Sequence, residues 1–103
     1  MSGETFVKHP SETYPIGVDY TGKAPTGAVL TSGVWSATDQ SDNSDATGAV
    51  LFSATAVIEG GVVAKVRVQS GTNGVSYKLG LTATFDTGDV LHDNLFMFID
   101  DSG

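Results

Sequence analysis

Residues 60–88, GGVVAKVRVQSGTNGVSYKLGLTATFDTG, decide the fold class. Apolar residues recur here at every second position. Val62, Ala64, Val66 and Val68 fall on one side of an extended chain, and Lys65, Arg67 and Gln69 on the other. That is a strand with one buried and one wet face. After SGTNG the alternation resumes: Tyr77, Leu79, Leu81, Ala83 and Phe85 share one face, opposed by Lys78, Thr82 and Thr84. Asn and Gly accept positive φ at little cost, so SGTNG reads as a tight turn, with adjacent antiparallel pairing of the two strands as the expected though not the only possible result.

The pattern extends in both directions. DTGDV, residues 86–90, is a second turn and leads into VLHDNLFMFIDD, residues 90–101. In that last strand Leu95, Met97 and Ile99 alternate with Phe96 and Phe98, so both faces are apolar. Upstream, AVLFSATAVIEGG supplies a strand from about Ala49 to Glu59, closed by Gly60 and Gly61. AVLTSGVWSATD, residues 28–39, supplies an earlier one with Trp35 near its end. Between them TDQSDNSDATG has Ala46 as its one apolar residue apart from glycine and reads as a loop. No window shows apolar residues at three-four spacing over two turns. Val, Thr, Ser and Gly abound, whereas Leu, Glu, Lys and Arg are scarce. The expected class is all-β: an immunoglobulin-like antiparallel β-sandwich of about six to seven strands with no significant helix. At 103 residues the chain makes one domain, residues 1–103.

The opening segment is irregular. VKHPSETYPIGVDYTG, residues 7–22, interrupts strand material with Pro10 and Pro15. Each proline removes a backbone donor and bends the chain, which suits an edge that must not recruit another strand. This reading puts Phe6–Val7 in one sheet and Ile16–Tyr20 in the other, with the kink between. The alternative is that residues 1–20 form a docking arm that becomes ordered only at residue 16.

Composition excludes several classes of function. Five basic against twelve acidic residues give a formal charge of −7, which repels nucleic-acid phosphates and anionic membrane surfaces alike. Without cysteine there is no disulfide, no thiolate nucleophile and no cysteine-ligated metal. No apolar run approaches the length of a membrane span, and MSGETFVK lacks the basic and apolar regions of a secretion signal.

Candidate chemistry is sparse. DQSDNSDATG places oxygen-bearing side chains at alternate positions, Asp39, Ser41, Asn43 and Asp45. An EF-type calcium loop needs Gly at position six and Glu at position twelve; Ser44 and Val50 stand there, so the loop reads as a solvated acidic turn. His9 and His92 are far apart and lack a serine in a strained Gly-x-Ser-x-Gly turn. Asp86 with Asp89, and Asp100 with Asp101, are turn and terminal acids, not carboxyls facing each other across a cleft. The expectation is a protein without catalytic residues, cofactor or metal. Tyr77 opens the penultimate strand after a tight loop, where a tyrosine corner bonds back to the preceding backbone. Trp35 reads as core. Phe96 and Phe98 face outward if Leu95, Met97 and Ile99 face in, and two such phenylalanines on one strand mark an interface, the alternative being that the N-terminal segment folds over them.

The whole pattern resembles a family of small tailed-bacteriophage virion proteins, of the fibre–tail adaptor or capsid-associated Ig-like type. The marks are FVKHPSETYPIGVDYTG with Lys8, Pro10, Val18, Asp19 and Tyr20, SGVWSAT with its tryptophan, and VRVQSGTNGVSYKLGLTATFDTGDV with the closing apolar strand, from about Glu4 to Asp100. Relatives often carry tryptophan where this chain has Tyr20, and their loop after the tryptophan is usually shorter. The resemblance implies a non-enzymatic virion protein, made in the bacterial host cytoplasm and released by lysis. It would dock on capsid, neck or tail proteins, and its apolar face also admits self-association. The docking surface expected is the N-terminal segment (Phe6, Pro10, Tyr14 and Pro15) together with Phe96 and Phe98. A second reading is a carbohydrate- or receptor-binding module that uses TDQSDNSDATG with Trp35.

Overall fold

The computed structural model describes residues 5–24 and 26–101; residues 1–4, the start of the opening segment, lie outside the described residues. The elements are β1 (Thr5–Lys8), β2 (Tyr14–Asp19), β3 (Leu30–Asp39), β4 (Ser44–Asp45), a helical turn α1 (Thr47–Val50), β5 (Val57–Glu59), β6 (Val63–Val68), β7 (Ser76–Phe85) and β8 (Val90–Ile99). They form two sheets, β1-β8-β7-β3-β4 and β2-β6-β5. The protein is all-β, an open two-sheet sandwich.

Period-two alternation builds the core between the sheets. β7 contributes Tyr77, Leu79, Leu81, Ala83 and Phe85, β8 contributes Leu95, Met97 and Ile99, and β6 contributes Ala64, Val66 and Val68, all buried. The β7–β8 hairpin is antiparallel, from Ser76 opposite Phe98 to Thr84 opposite Val90. Asp89 Oδ2 accepts the Thr87 hydroxyl within its turn, and Asp86 Oδ1 accepts the Val29 N–H, tying the turn to the residue before β3.

Four expectations are corrected. SGTNG does not close a hairpin: β6 pairs with β2 and β5, whereas β7 pairs with β3 and β8. The link instead crosses from one sheet to the other. Sheets stack about 10 Å apart, and the link runs the distance with its own anchors, Gly74 N–H to Ile99 O and Ile99 N–H to Val75 O.

Ala49–Glu59 is not one strand. Asp45 Oδ1 accepts the N–H and hydroxyl of Thr47, and this local bonding turns the chain into α1 where strand propensity alone predicted extension. Leu51 then bridges to Val68 on β6, residues 54–56 bond to β3 through Trp35 N–H to Ala54 O and Ala56 N–H to Gly33 O, and β5 returns to β6. The segment thus stitches one open side of the sandwich.

The polar stretch 38–48 is only partly a loop, because β3 runs through Thr38 and Asp39, which pair with Asp45 and Ser44 of β4. Finally, the sheets are not wholly antiparallel: β1 runs parallel to β8, with Val7 opposite Phe98.

The opening segment spans both sheets. β1 lies at the edge of the larger sheet and β2 in the smaller, with Pro10 in the turn between them. Tyr20 N–H donates to Val62 O, and in register with it the even-numbered residues of β2 bond β6. Pro15 is odd-numbered, so its missing donor falls on the open edge and costs no ladder bond.

Candidate docking surfaces

The outer face of the larger sheet carries the first candidate. Alternation along β8 turns Phe96 and Phe98 outward, half-buried, while Leu95, Met97 and Ile99 are buried. Parallel pairing sets Val7 beside Phe98 and Thr5 beside Phe96 on the same face. Val7 is 63% exposed. Asp100 N–H donates to Lys8 O, which in a parallel ladder commits the main-chain groups of Phe6 and Lys8 to β8 and leaves those of Thr5 and Val7 on the open edge. Unlike β2, this edge has neither proline nor an outward charge among its described residues. The result, among the described residues, is a backbone edge without a partner strand, flanked by Val7, Phe96 and Phe98.

The other N-terminal candidates separate. Phe6 is in register with Met97 and packs against the core; Val7 takes the outward position beside the two phenylalanines. Tyr14 also turns inward, half-buried against the core. Pro10 sits in the turn, and Pro15 is exposed on the opposite face of the sandwich. The structure therefore joins Phe96 and Phe98 with Val7, and not with Phe6, Tyr14 or Pro15.

On that opposite face Pro15 pairs with Arg67, Gly17 with Lys65, and Val57 with Lys65 from the other side. Pro15, Val57, Glu59, Lys65, Val66 and Arg67 line an open concavity of about 250 Å³. A Cβ on Gly17 would lie 3.0 Å from Lys65 Cγ, so glycine lets the lysine stem lie across β2. Lys65 Nζ pairs with Glu59 at 2.9 Å.

The acidic loop is organised by threes, not by twos. Asp39 Oδ1 accepts the N–H and hydroxyl of Ser41, Asp42 Oδ1 those of Ser44, and Asp45 Oδ1 those of Thr47. Each Asp-x-Ser/Thr triplet closes on itself, so one oxygen of each carboxylate is occupied within its own turn. Among the described residues no group of three or more His, Asp or Glu side chains could hold a metal ion. Trp35, the aromatic partner expected for a glycan site in this loop, is 1% exposed and offers no platform to a sugar. Among the described residues its Nε1–H has no acceptor. The Ser44 hydroxyl and N–H hold Asp42 below its ordinary 3.8, and Thr47 does the same for Asp45. These turns are therefore fully supported above about pH 4 and weaken as pH falls through the depressed values. Ser44→Ala should raise the Asp42 pKa measurably and leave Asp45 unchanged in a carboxyl ¹³C NMR titration; equal shifts at both would contradict independent triplets.

His9 Nδ1 accepts from the N–H of Ser11 and lies 2.7 Å from its hydroxyl, and His92 Nδ1 lies 3.1 Å from Thr82 Oγ1. Both are surface contacts between near neighbours in the chain or on adjacent strands. Tyr77 Oη accepts the Thr72 N–H at 3.0 Å, closing the crossover onto β7.

Two buried polar groups escaped the sequence reading. Asp93 follows His92 in a polar stretch, yet it is buried and its Oδ2 accepts the Tyr20 hydroxyl at 2.6 Å across the sandwich. Extending the Leu95–Met97–Ile99 alternation one step back would have placed it inward. Lys8 is also fully buried and donates to the carbonyls of Ser70 and His9 at 2.6 and 2.9 Å. Burial lowers its pKa against the opposing pull of Glu12. The same inward parity as Phe6 was its signal.

Residues 8–97 match the model of a protein family described as podophage GP4 fiber-tail adaptor protein gp77. No curated protein matches the chain.

Proposed function

This chain belongs to the podophage GP4 fiber-tail adaptor protein gp77 family, and on that footing we propose that it is a non-enzymatic virion component that docks between tail and fibre proteins through the Val7, Phe96 and Phe98 face. The observation that carries the reading is an unguarded β1 edge lying beside an outward apolar row. Strand addition supplies main-chain hydrogen bonds, and the phenylalanines supply apolar contact. Repetition around a symmetric particle multiplies a modest single contact into stable attachment. The Tyr77 bond to the preceding loop and the two-sheet architecture support an immunoglobulin-like body beneath this surface.

The test is assembly. A Phe96→Ser, Phe98→Ser double variant is expected to keep its β-sheet circular dichroism and to be missing from purified particles. Val7→Lys, which adds a charge at the edge, should reduce incorporation with the fold unchanged. Normal incorporation of both variants would refute the docking surface.

A further inference from the structure

We infer that the outer face of the smaller sheet is a second binding surface, one that takes an acidic, extended segment of a partner protein. An adaptor needs two faces, and charge and exposure mark this one. Phe52 is 71% exposed and Val57 60% exposed, large apolar side chains left in water. Leu51 bridges Val68 with its side chain buried, and Phe52 N–H donates to Arg67 O. Alternation therefore sends Phe52 to the same outer face as Arg67. Pro15, Arg67 and Phe52 make one row across the face; Gly17, Lys65 and Val57 make the next.

Charge on this face is divided: its third row, Asp19, Val63 and Glu59, is acidic, and the positive charge lies at the other end, around Arg67. The chain carries −7 with only five basic residues, and two of them, Lys65 and Arg67, point outward side by side here. Lys65 is partly neutralised by Glu59. Arg67 is exposed and has no ion-pair partner among the described residues. A guanidinium between a proline and a phenylalanine, at the rim of an open concavity, is suited to clamp a carboxylate in bidentate fashion. Residues two apart on a strand are about 7 Å apart, the repeat of an extended peptide, so successive same-side carboxylates of one peptide meet Arg67 and Lys65. The apolar positions nearby, Phe52 and Val57, accept its alternate side chains. The acidic remainder of the surface, the third row included, repels such a segment, which confines it to the Arg67 end of this face.

The experiment uses the full chain, labelled with ¹⁵N, and three capped seven-residue peptides. One has glutamate at alternate positions with valine between; the others replace glutamate with glutamine or lysine. The glutamate peptide is expected to shift the amides of Phe52, Val57, Lys65 and Arg67, with affinity falling at least tenfold in Arg67→Glu and steeply with added salt. The Phe96→Ser, Phe98→Ser variant should bind it as the parent does, which separates this surface from the first. Equal binding of the glutamine or lysine peptide, retained affinity in Arg67→Glu, or no shift with the glutamate peptide at millimolar concentration would each overturn the inference.

Discussion

Gly71→Ala is expected to destabilise the domain by about 3 kcal/mol, from about 1–3 kcal/mol of overpacking plus about 1–2 kcal/mol of backbone strain. Gly71 has φ +103°, a conformation that L side chains rarely adopt, and a Cβ there would lie 2.6 Å from Ile99 Cδ1, 2.7 Å from its Cγ1 and 3.6 Å from Tyr77 Cε2. The neighbouring carbonyl, on Ser70, is held by Lys8 Nζ, and the next N–H, on Thr72, is held by Tyr77 Oη. The crossover therefore has no slack with which to move away. Gly74 supplies the control: its φ is +84° but nothing lies within 4 Å of its Cβ position. Gly74→Ala should cost only the backbone part, about 1–2 kcal/mol. Urea denaturation of both variants separates strain from clash. In an Ile99→Val background, which removes the nearest methyl, Gly71→Ala should cost less than in the parent. Equal costs for Gly71→Ala and Gly74→Ala would show that the packing against Ile99 is not decisive.

Tyr20→Phe is expected to cost about 2–3 kcal/mol, the upper range for a hydrogen bond to a charged group. Tyr20 is buried, stacks edge-on against Phe85 with ring centroids 5.5 Å apart, and donates to Asp93. Phenylalanine keeps the ring contact and removes the donor, so the loss measures what Asp93 loses. The pH dependence is a second readout. Burial, then the hydrogen bond to Asp93 and its charge, push the Tyr20 pKa well above the ordinary 10.0. A group whose folded pKa is raised contributes stability that is complete below its unfolded value and is lost as pH climbs above it. Parent stability should therefore fall above about pH 10, more steeply than in Tyr20→Phe. Tyr14 is raised as well, and it is common to both proteins and cancels in the comparison. Parallel pH profiles for the two proteins would contradict the buried pair.

For β6, β7 and the apolar part of β8, strand identity and facing were legible because both depend on local alternation. The inward sets of β6, β7 and β8 could be written down from residues 62–99, and the sheet change within the opening segment followed from Pro10 and Pro15. The acidic loop was legible as a loop but not as a turn and short hairpin, because Asp-x-Ser/Thr side-chain bonds override the β preference of the residues after it. Of the docking candidates, Phe96 and Phe98 were legible by parity, whereas Val7 was not. It joins them only because β1 pairs parallel to β8, and pairing direction between distant segments leaves no local mark. Phe52 was hidden in what read as a continuous strand, and Arg67 as one polar residue of an ordinary wet face.

The sequence by itself determined an all-β domain, its strand faces and the lack of cysteine chemistry, since these rest on period-two patterning, turn residues and composition. Only the tertiary structure decided which strands are neighbours, that the link 69–75 crosses between sheets, and that Asp93 meets Tyr20 across the core. The reason is physical: alternation specifies which side of a strand is buried, but the partner across a sheet or a core is chosen by how all the buried sides pack together. A lysine at an inward position, a glycine under Ile99 and an arginine between Pro15 and Phe52 acquire their meaning at that level.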